Sequence, residues 1–184
     1  MSDLFDFSQV AAATSTGYLE PGMYNLTPTE VKFESPSGKT PYVQITFANK
    51  EGSIVRENFY LTPKAMGRLQ YLHKAWFDRE LTKAFKSVEE IAAYFEKVMT
   101  MKKITKPTIV GGTVGTNGKI YGNLPYTNFV LPDSATFDEG KFEEGSSNYK
   151  EYVKKSNLTS AASMSDSSLL PGSDEDEKDE DAPW

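Results

Sequence analysis

Two short stretches alternate polar and apolar residues with almost nothing between them. From Tyr42 to Ala48, Val43, Ile45 and Phe47 fall on one side and Tyr42, Gln44 and Thr46 on the other. From Ile54 to Leu61, Val55, Phe59 and Leu61 oppose Arg56, Asn58 and Tyr60. A period of two is the spacing of a strand with one face in the core and one in water. The connection Asn49-Lys50-Glu51-Gly52 is short enough to force the two strands antiparallel. A chain with this pair has to build a sheet with one wet face. Gly22 to Glu34 extends the pattern upstream: Tyr24 and Leu26 alternate with polar neighbours, and Val31 and Phe33 do so again. Pro28 lies between the halves and cannot donate to a ladder, so a bend, bulge or edge is expected there. Ser35-Pro36-Ser37-Gly38-Lys39 reads as the turn between the first two strands.

After Leu61 the period changes. Thr62-Pro63 reads as an N-cap followed by proline in the first turn, and Ala65, Leu69, Leu72 and Trp76 form a helical stripe. Ser87 with Glu90 three residues on is a capping box that opens a second helix, with Val88, Ile91, Phe95 and Val98 as its stripe. Strand character returns at Thr108 to Val114 and at Lys119 to Leu124, around the turn Gly115-Thr116-Asn117-Gly118. Tyr126 to Leu131 is expected as a last strand. The fold class predicted is mainly β with inserted helices. A long bent first strand, and a helical segment between strands three and four, are the pattern of a five-stranded Greek-key barrel, the OB-fold. Its extent is residues 22–131.

The flanks differ in composition. Residues 1–21, with the run Ala11-Ala12-Ala13-Thr14-Ser15-Thr16-Gly17, are expected to be a flexible arm. Residues 132–155 are acidic and rich in Gly and Ser, an extension expected to pack on or near the domain, with a helical turn or two in Asn148 to Lys155. Residues 156–184 are expected to be disordered, ending in Asp174-Glu175-Asp176-Glu177-Lys178-Asp179-Glu180-Asp181-Ala182-Pro183-Trp184. The net charge of −6 hides a split. Gly22 to Leu131 holds 15 basic and 9 acidic groups, whereas Asp166 to Trp184 holds one Lys and eight acids. A basic body points to an anionic partner. An acidic string with one aromatic at its tip suits a basic-rimmed apolar pocket on another protein.

Signs of catalysis are weak. The chain has no cysteine and one histidine, His73, which lies beside the first helical stripe and has no partners at metal-ligand spacing. Gly111 to Lys119 misses the phosphate-loop spacing, Ile120 stands where Ser or Thr is required, and no helix follows. Glu89-Glu90 begins a helix, and Glu143-Glu144 sits in the acidic extension. No enzyme, no metal and no cofactor are expected. Neither a signal peptide nor an apolar run of about 20 residues is visible, so no membrane partner and a cytoplasmic location are expected.

What remains is a binding signature. Lys32, Lys39, Tyr42, Gln44, Arg56, Tyr60, Lys102, Lys103, Lys106, Lys119, Tyr121 and Tyr126 lie on polar strand faces and loops. Each tyrosine alone is equally well a half-buried strand residue. As a set, cations interleaved with rings suit single-stranded nucleic acid, the cations following phosphates and the rings stacking on bases. No basic recognition helix for duplex DNA is visible.

The basic β-rich body, the segment Phe59-Tyr60-Leu61-Thr62-Pro63-Lys64-Ala65-Met66-Gly67-Arg68-Leu69 and the acidic end at Trp184 together resemble the single-stranded-DNA-binding proteins of tailed bacteriophages. The resemblance implies an OB-fold that coats exposed single strands in phage DNA replication, recombination and repair. It implies an acidic tail that recruits the DNA polymerase and other replication proteins, and that can occupy the DNA groove when DNA is absent. Asp179, Glu180, Asp181 and Trp184 would be the recruiting end. Trp stands where many bacterial relatives have Phe, and the helical segment is longer than a minimal OB-fold needs. Self-association on DNA is compatible with the pattern. The alternative is a protein–protein adaptor, or a DNA-mimic inhibitor aimed at a host DNA-binding protein. A nuclease would need a carboxylate cluster that the sequence does not offer.

Overall fold

A computed structural model describes residues 17–155. Three antiparallel strands come first: β1 (Gly22–Glu34), β2 (Tyr42–Ala48) and β3 (Ile54–Tyr60). The first two match the bounds read from the alternation, and β3 stops one residue short. The register of β1 against β2 slips between Pro28 and Glu30, the irregularity that a proline without an N–H requires. Just before that slip β1 changes partner. Thr27 to Glu34 pairs with β2, while Gly22 to Leu26 pairs with β4 (Lys106–Val114).

Two helices separate β3 from β4: α1 (Met66–Phe77) and α2 (Val88–Met101). The Ser87 hydroxyl accepts from the Glu90 amide at 3.3 Å, and the Glu90 carboxylate accepts from the Lys86 amide at 2.9 Å. The first helix begins later than Thr62-Pro63 suggests. The Thr62 carbonyl accepts from the amides of Ala65 and Met66, and its hydroxyl from Ala65. Thr62 therefore closes a turn that leads into the helix, and the helix itself has no side-chain cap. Leu69, Leu72 and Trp76 of α1 and Ile91, Phe95 and Met99 of α2 bury against Leu26, Val43, Ile45, Phe47, Val55 and Phe59 of the sheet. The Trp76 ring lies 5.2 Å from Phe47, and its indole N–H donates to the Ile104 carbonyl at 3.0 Å.

β5 (Ile120–Asn123) completes a hairpin with β4 and gives the order β3-β2-β1-β4-β5. Two short strands come from the acidic extension. β6 (Gly140–Lys141) pairs with the start of β1. After α3 (Ser147–Tyr152), β7 (Val153–Lys155) runs parallel to Gly112–Val114 of β4. The fold is thus mainly β, a mixed seven-stranded sheet with a few helices. The extension is woven into the sheet by β6 and β7, and the helical turn read over Asn148 to Lys155 ends at Tyr152, its last three residues being strand.

The hydrogen-bonded path is open, because no ladder joins β3 to β5. The closed five-stranded barrel expected from sequence is therefore not formed by strand pairing. Two other devices span the opening. At one end residues 17–19 lie along β3: the Ile54 amide donates to the Gly17 carbonyl at 3.0 Å, and the Leu19 amide to the Ile54 carbonyl at 2.8 Å. The Leu19 carbonyl rests on Gly122 of β5, only 2.2 Å from where a Cβ would sit. At the other end Arg68 ties Glu57 of β3 to the chain just after β5. Its guanidinium donates to Glu57 Oε1 at 2.7 Å and to the carbonyls of Leu124, Pro125 and Tyr126 at 2.9, 3.0 and 3.1 Å. Glu57 Oε2 accepts from the Leu124 amide at 2.9 Å.

Two expectations are corrected here. Residues 17–21 belong to the folded body, with Leu19 buried; the rest of the expected arm lies outside the described residues. Tyr126 to Leu131 is not a strand but a single bridge, Thr108 to Val130. Arg68 takes the Tyr126 carbonyl and Asn128 turns the chain with φ of 59°, so only the Phe129 carbonyl and the Leu131 amide reach β4, at Ile109 and Pro107. The glycines that resembled a phosphate loop have a packing reason. A Cβ on Gly111 would lie 2.8 Å from the Tyr152 carbonyl, and one on Gly112 would lie 2.6 Å from the Pro21 ring.

His73 is buried, its Nδ1 3.0 Å from the Arg79 carbonyl and its Nε2 2.8 Å from the Tyr94 hydroxyl. A neutral ring with its proton on Nδ1 satisfies both contacts. Burial holds its pKa below the ordinary 6.5. Below that value the unfolded chain takes up a proton that the folded one refuses, so His73 destabilises the fold as the medium becomes acidic. The thermal midpoint is expected to fall by a few degrees from about pH 7.5 to about pH 5.5, where carboxylates stay ionised. The fall should shrink in His73→Asn; equal falls in both proteins would contradict it.

Candidate nucleic-acid interface

The outer face of β1-β2-β3 is built in three cross-strand rows, set by register. Glu34, Tyr42 and Tyr60 form one row; Lys32, Gln44 and Asn58 the next; Glu30, Thr46 and Arg56 the third. Their neighbours Val43, Ile45, Phe47, Val55 and Phe59 point the other way, into the core. Burial of that inner set leaves the outer set no choice of face. Tyr42 and Tyr60 meet edge to face with centroids 5.6 Å apart, and Tyr60 is 48% exposed. The Gln44 amide donates to Asn58 at 2.9 Å, which fixes the middle row.

Five of the twelve residues read from sequence therefore share one surface: Lys32, Tyr42, Gln44, Arg56 and Tyr60. Lys39 is exposed in the β1–β2 turn at its end. The face is not uniformly positive. Lys32 is 2.9 Å from Glu30, and Glu34 sits in the tyrosine row. The cations and acids of these rows balance, and what stands out is a pair of rings among polar groups that can each hydrogen-bond.

The remaining residues lie elsewhere. Lys119 and Tyr121 are exposed on the β4–β5 hairpin, where the Tyr121 hydroxyl accepts from Asn117 at 3.0 Å. Tyr126 is 62% exposed at the opening between β3 and β5, with the Arg68 guanidinium 5.5 Å from its ring centre. It lines a cleft of about 390 Å³ with Thr113, Asn123, Tyr152 and Lys154. Lys102 and Lys103 follow α2 on the helical side, and Lys102 lies 5.7 Å from the Phe77 ring centre. Lys106 is a correction. Its side chain is 7% exposed and it donates to Asp133 at 2.9 Å and Asp78 at 3.3 Å. The hydrogen bond to Asp133, with a second to Asp78, holds its ammonium above the ordinary lysine value against the effect of burial. It pins the extension to α1 and has no charge to spare for a phosphate.

Sequence reasoning missed Tyr18, whose ring is 66% exposed beside Arg56. The only signal was the pair Tyr18-Leu19 at the end of a run of small residues, one ring for the surface and one side chain for the core. It also missed Lys154, which register places beside Thr113 and hence in the row of Tyr121. Asp179, Glu180, Asp181 and Trp184 lie outside the described residues. Among the described residues no helix is long and apolar enough to cross a membrane, and no cluster of acidic or His side chains could hold a metal ion. No protein-family model matches the chain, and no curated protein matches it.

Proposed function

We propose that the outer face of β1-β2-β3 binds single-stranded DNA without regard to sequence, through stacking on Tyr42 and Tyr60 and phosphate contacts from Arg56, Lys32 and Lys39. The observation that carries this reading is the tyrosine pair, Tyr60 exposed and Tyr42 half-buried beneath it, on a face whose other rows are polar and carry Lys32 and Arg56. Rings on a strand face are already ordered, so stacking a base on them costs little conformational entropy. The strand order β3-β2-β1-β4-β5, with its helices between β3 and β4, supports reading the sheet as an OB-type barrel. In that reading residues 17–19 and Arg68 seal the side where β3 and β5 do not pair. The role in phage replication, recombination and repair follows from the sequence resemblance, as does recruitment of replication proteins by Asp179, Glu180, Asp181 and Trp184.

Because acids share the face, few phosphates are neutralised. With Arg56, Lys32 and Lys39 engaged, log affinity should fall against log salt with a slope of about −2, at about 0.7 per phosphate. Titrating a fluorescent oligo-dT at two salt concentrations tests this. No binding at low salt would overturn the function, and a much steeper slope would move the interface to the lysine-rich surfaces elsewhere.

A further inference from the structure

We infer that Tyr18 is a third base-stacking ring of this face, contributed by the segment that precedes β1; the inference rests on the single-strand reading above. The backbone on either side of Tyr18 is fixed to β3, through the Gly17 carbonyl and the Leu19 amide on Ile54. Leu19 is buried in the core. In extended chain, neighbouring side chains point to opposite sides. Anchoring Leu19 inward therefore turns Tyr18 outward, to the side that carries Arg56 and Tyr60.

Its ring is held there. Arg56 Nη1 donates to the Tyr18 hydroxyl at 3.0 Å, and the guanidinium carbon lies 5.7 Å from the ring centre. With Tyr18 66% exposed, much of the ring remains open to solvent. A fixed ring with a cation over it and much of its surface open has what a stacked nucleotide needs, a plane for the base and a charge for its phosphate. Arg56 and Tyr60 are four residues apart, about 13 Å along a strand. Tyr18 and the Tyr42–Tyr60 pair would then hold different bases of one strand, with Arg56 between them.

Propping Arg56 in place is the competing role for Tyr18, and the two roles separate by experiment. The full-length protein, Tyr18→Ala and Tyr18→Phe are titrated with fluorescent oligo-dT over a series of salt concentrations. Loss of one stack weakens Tyr18→Ala by roughly 5- to 150-fold and leaves the salt slope unchanged, because a ring neutralises no phosphate. Tyr18→Phe keeps the plane and binds within about twofold of the unaltered protein. Unchanged affinity in Tyr18→Ala overturns the inference. So does a weakened Tyr18→Ala whose slope is shallower by about 0.7, since that is the loss of the Arg56 phosphate contact alone. Photo-crosslinking the unaltered protein to oligo-dT carrying 5-iododeoxyuridine gives a readout independent of any variant's folding. Adducts on the peptide containing Tyr18 support stacking, and adducts confined to Tyr42 and Tyr60 overturn it. If the unaltered protein fails to bind oligo-dT at all, the single-strand reading itself falls, which is a different result from Tyr18 being silent.

Discussion

Replacing Arg68 with alanine is expected to destabilise the protein by about 3–5 kcal/mol, a large share of what a domain of this size has. The Arg68 and Glu57 side chains are 11% and 13% exposed and 2.7 Å apart. Removing the guanidinium strands the Glu57 carboxylate in a poorly solvated site. It also leaves the carbonyls of Leu124, Pro125 and Tyr126 without their donor. Arg68→Lys should recover only part of the loss, because an ammonium cannot spread its donors over a carboxylate and three carbonyls. The double variant Arg68→Met with Glu57→Leu should be more stable than Arg68→Ala, since no uncompensated charge remains. The loss should concentrate at the opening between β3 and β5, so the Leu124 amide, which donates to Glu57, should exchange its hydrogen faster. Urea midpoints for the three variants and hydrogen exchange at Leu124 check this. An Arg68→Ala protein within about 1 kcal/mol of the original would mean that β3 and β5 hold together without the pair.

The strands were legible because alternation is a local signal. β1 and β2 could be bounded from Tyr24, Leu26, Val43, Ile45 and Phe47 alone, and Pro28 announced its bulge. The tyrosine face followed from the same alternation, since register left the outer residues nowhere else to go. The joints were not legible. Glu57 occupies an inward position of β3, where the alternation calls for an apolar residue; its role depends on Arg68, a helix residue 11 positions away. Lys106 sat in a basic run with Lys102 and Lys103 and read as one more cation. Asp133 and Asp78, which neutralise it, are 27 and 28 residues distant. Tyr18 followed a run of small residues with no period of its own, so nothing before Gly22 hinted that Ile54 would supply the missing ladder partner. Short-range pattern set the face; long-range ion pairs and backbone bridges decided which charges were left free to use it.

The largest functional loss is expected from removing the two rings of the first row together. Each base–ring stack contributes about 1–3 kcal/mol, so Tyr42→Ala with Tyr60→Ala should weaken oligo-dT binding by roughly 30-fold to 10⁴-fold. The single variants should not be equivalent. Tyr60 is the more exposed ring, whereas Tyr42 is half-buried and meets it edge-on at 63°. Tyr60→Ala removes a stacking plane outright. Tyr42→Ala also removes the support that fixes Tyr60, so the two losses should not add, and a double-mutant cycle should show coupling of about 0.5–3 kcal/mol. Tyr→Phe changes at both positions should bind almost as well as the original, because stacking needs the ring and not the hydroxyl. The core side of β2 and β3 is untouched by these changes, so thermal midpoints should move little. Duplex DNA of the same length serves as the control: its bases are already stacked on one another, and the variants should bind it no worse than the original does. A double alanine variant that still coats oligo-dT with full affinity would leave this face with no part in binding, whatever the rest of the molecule does.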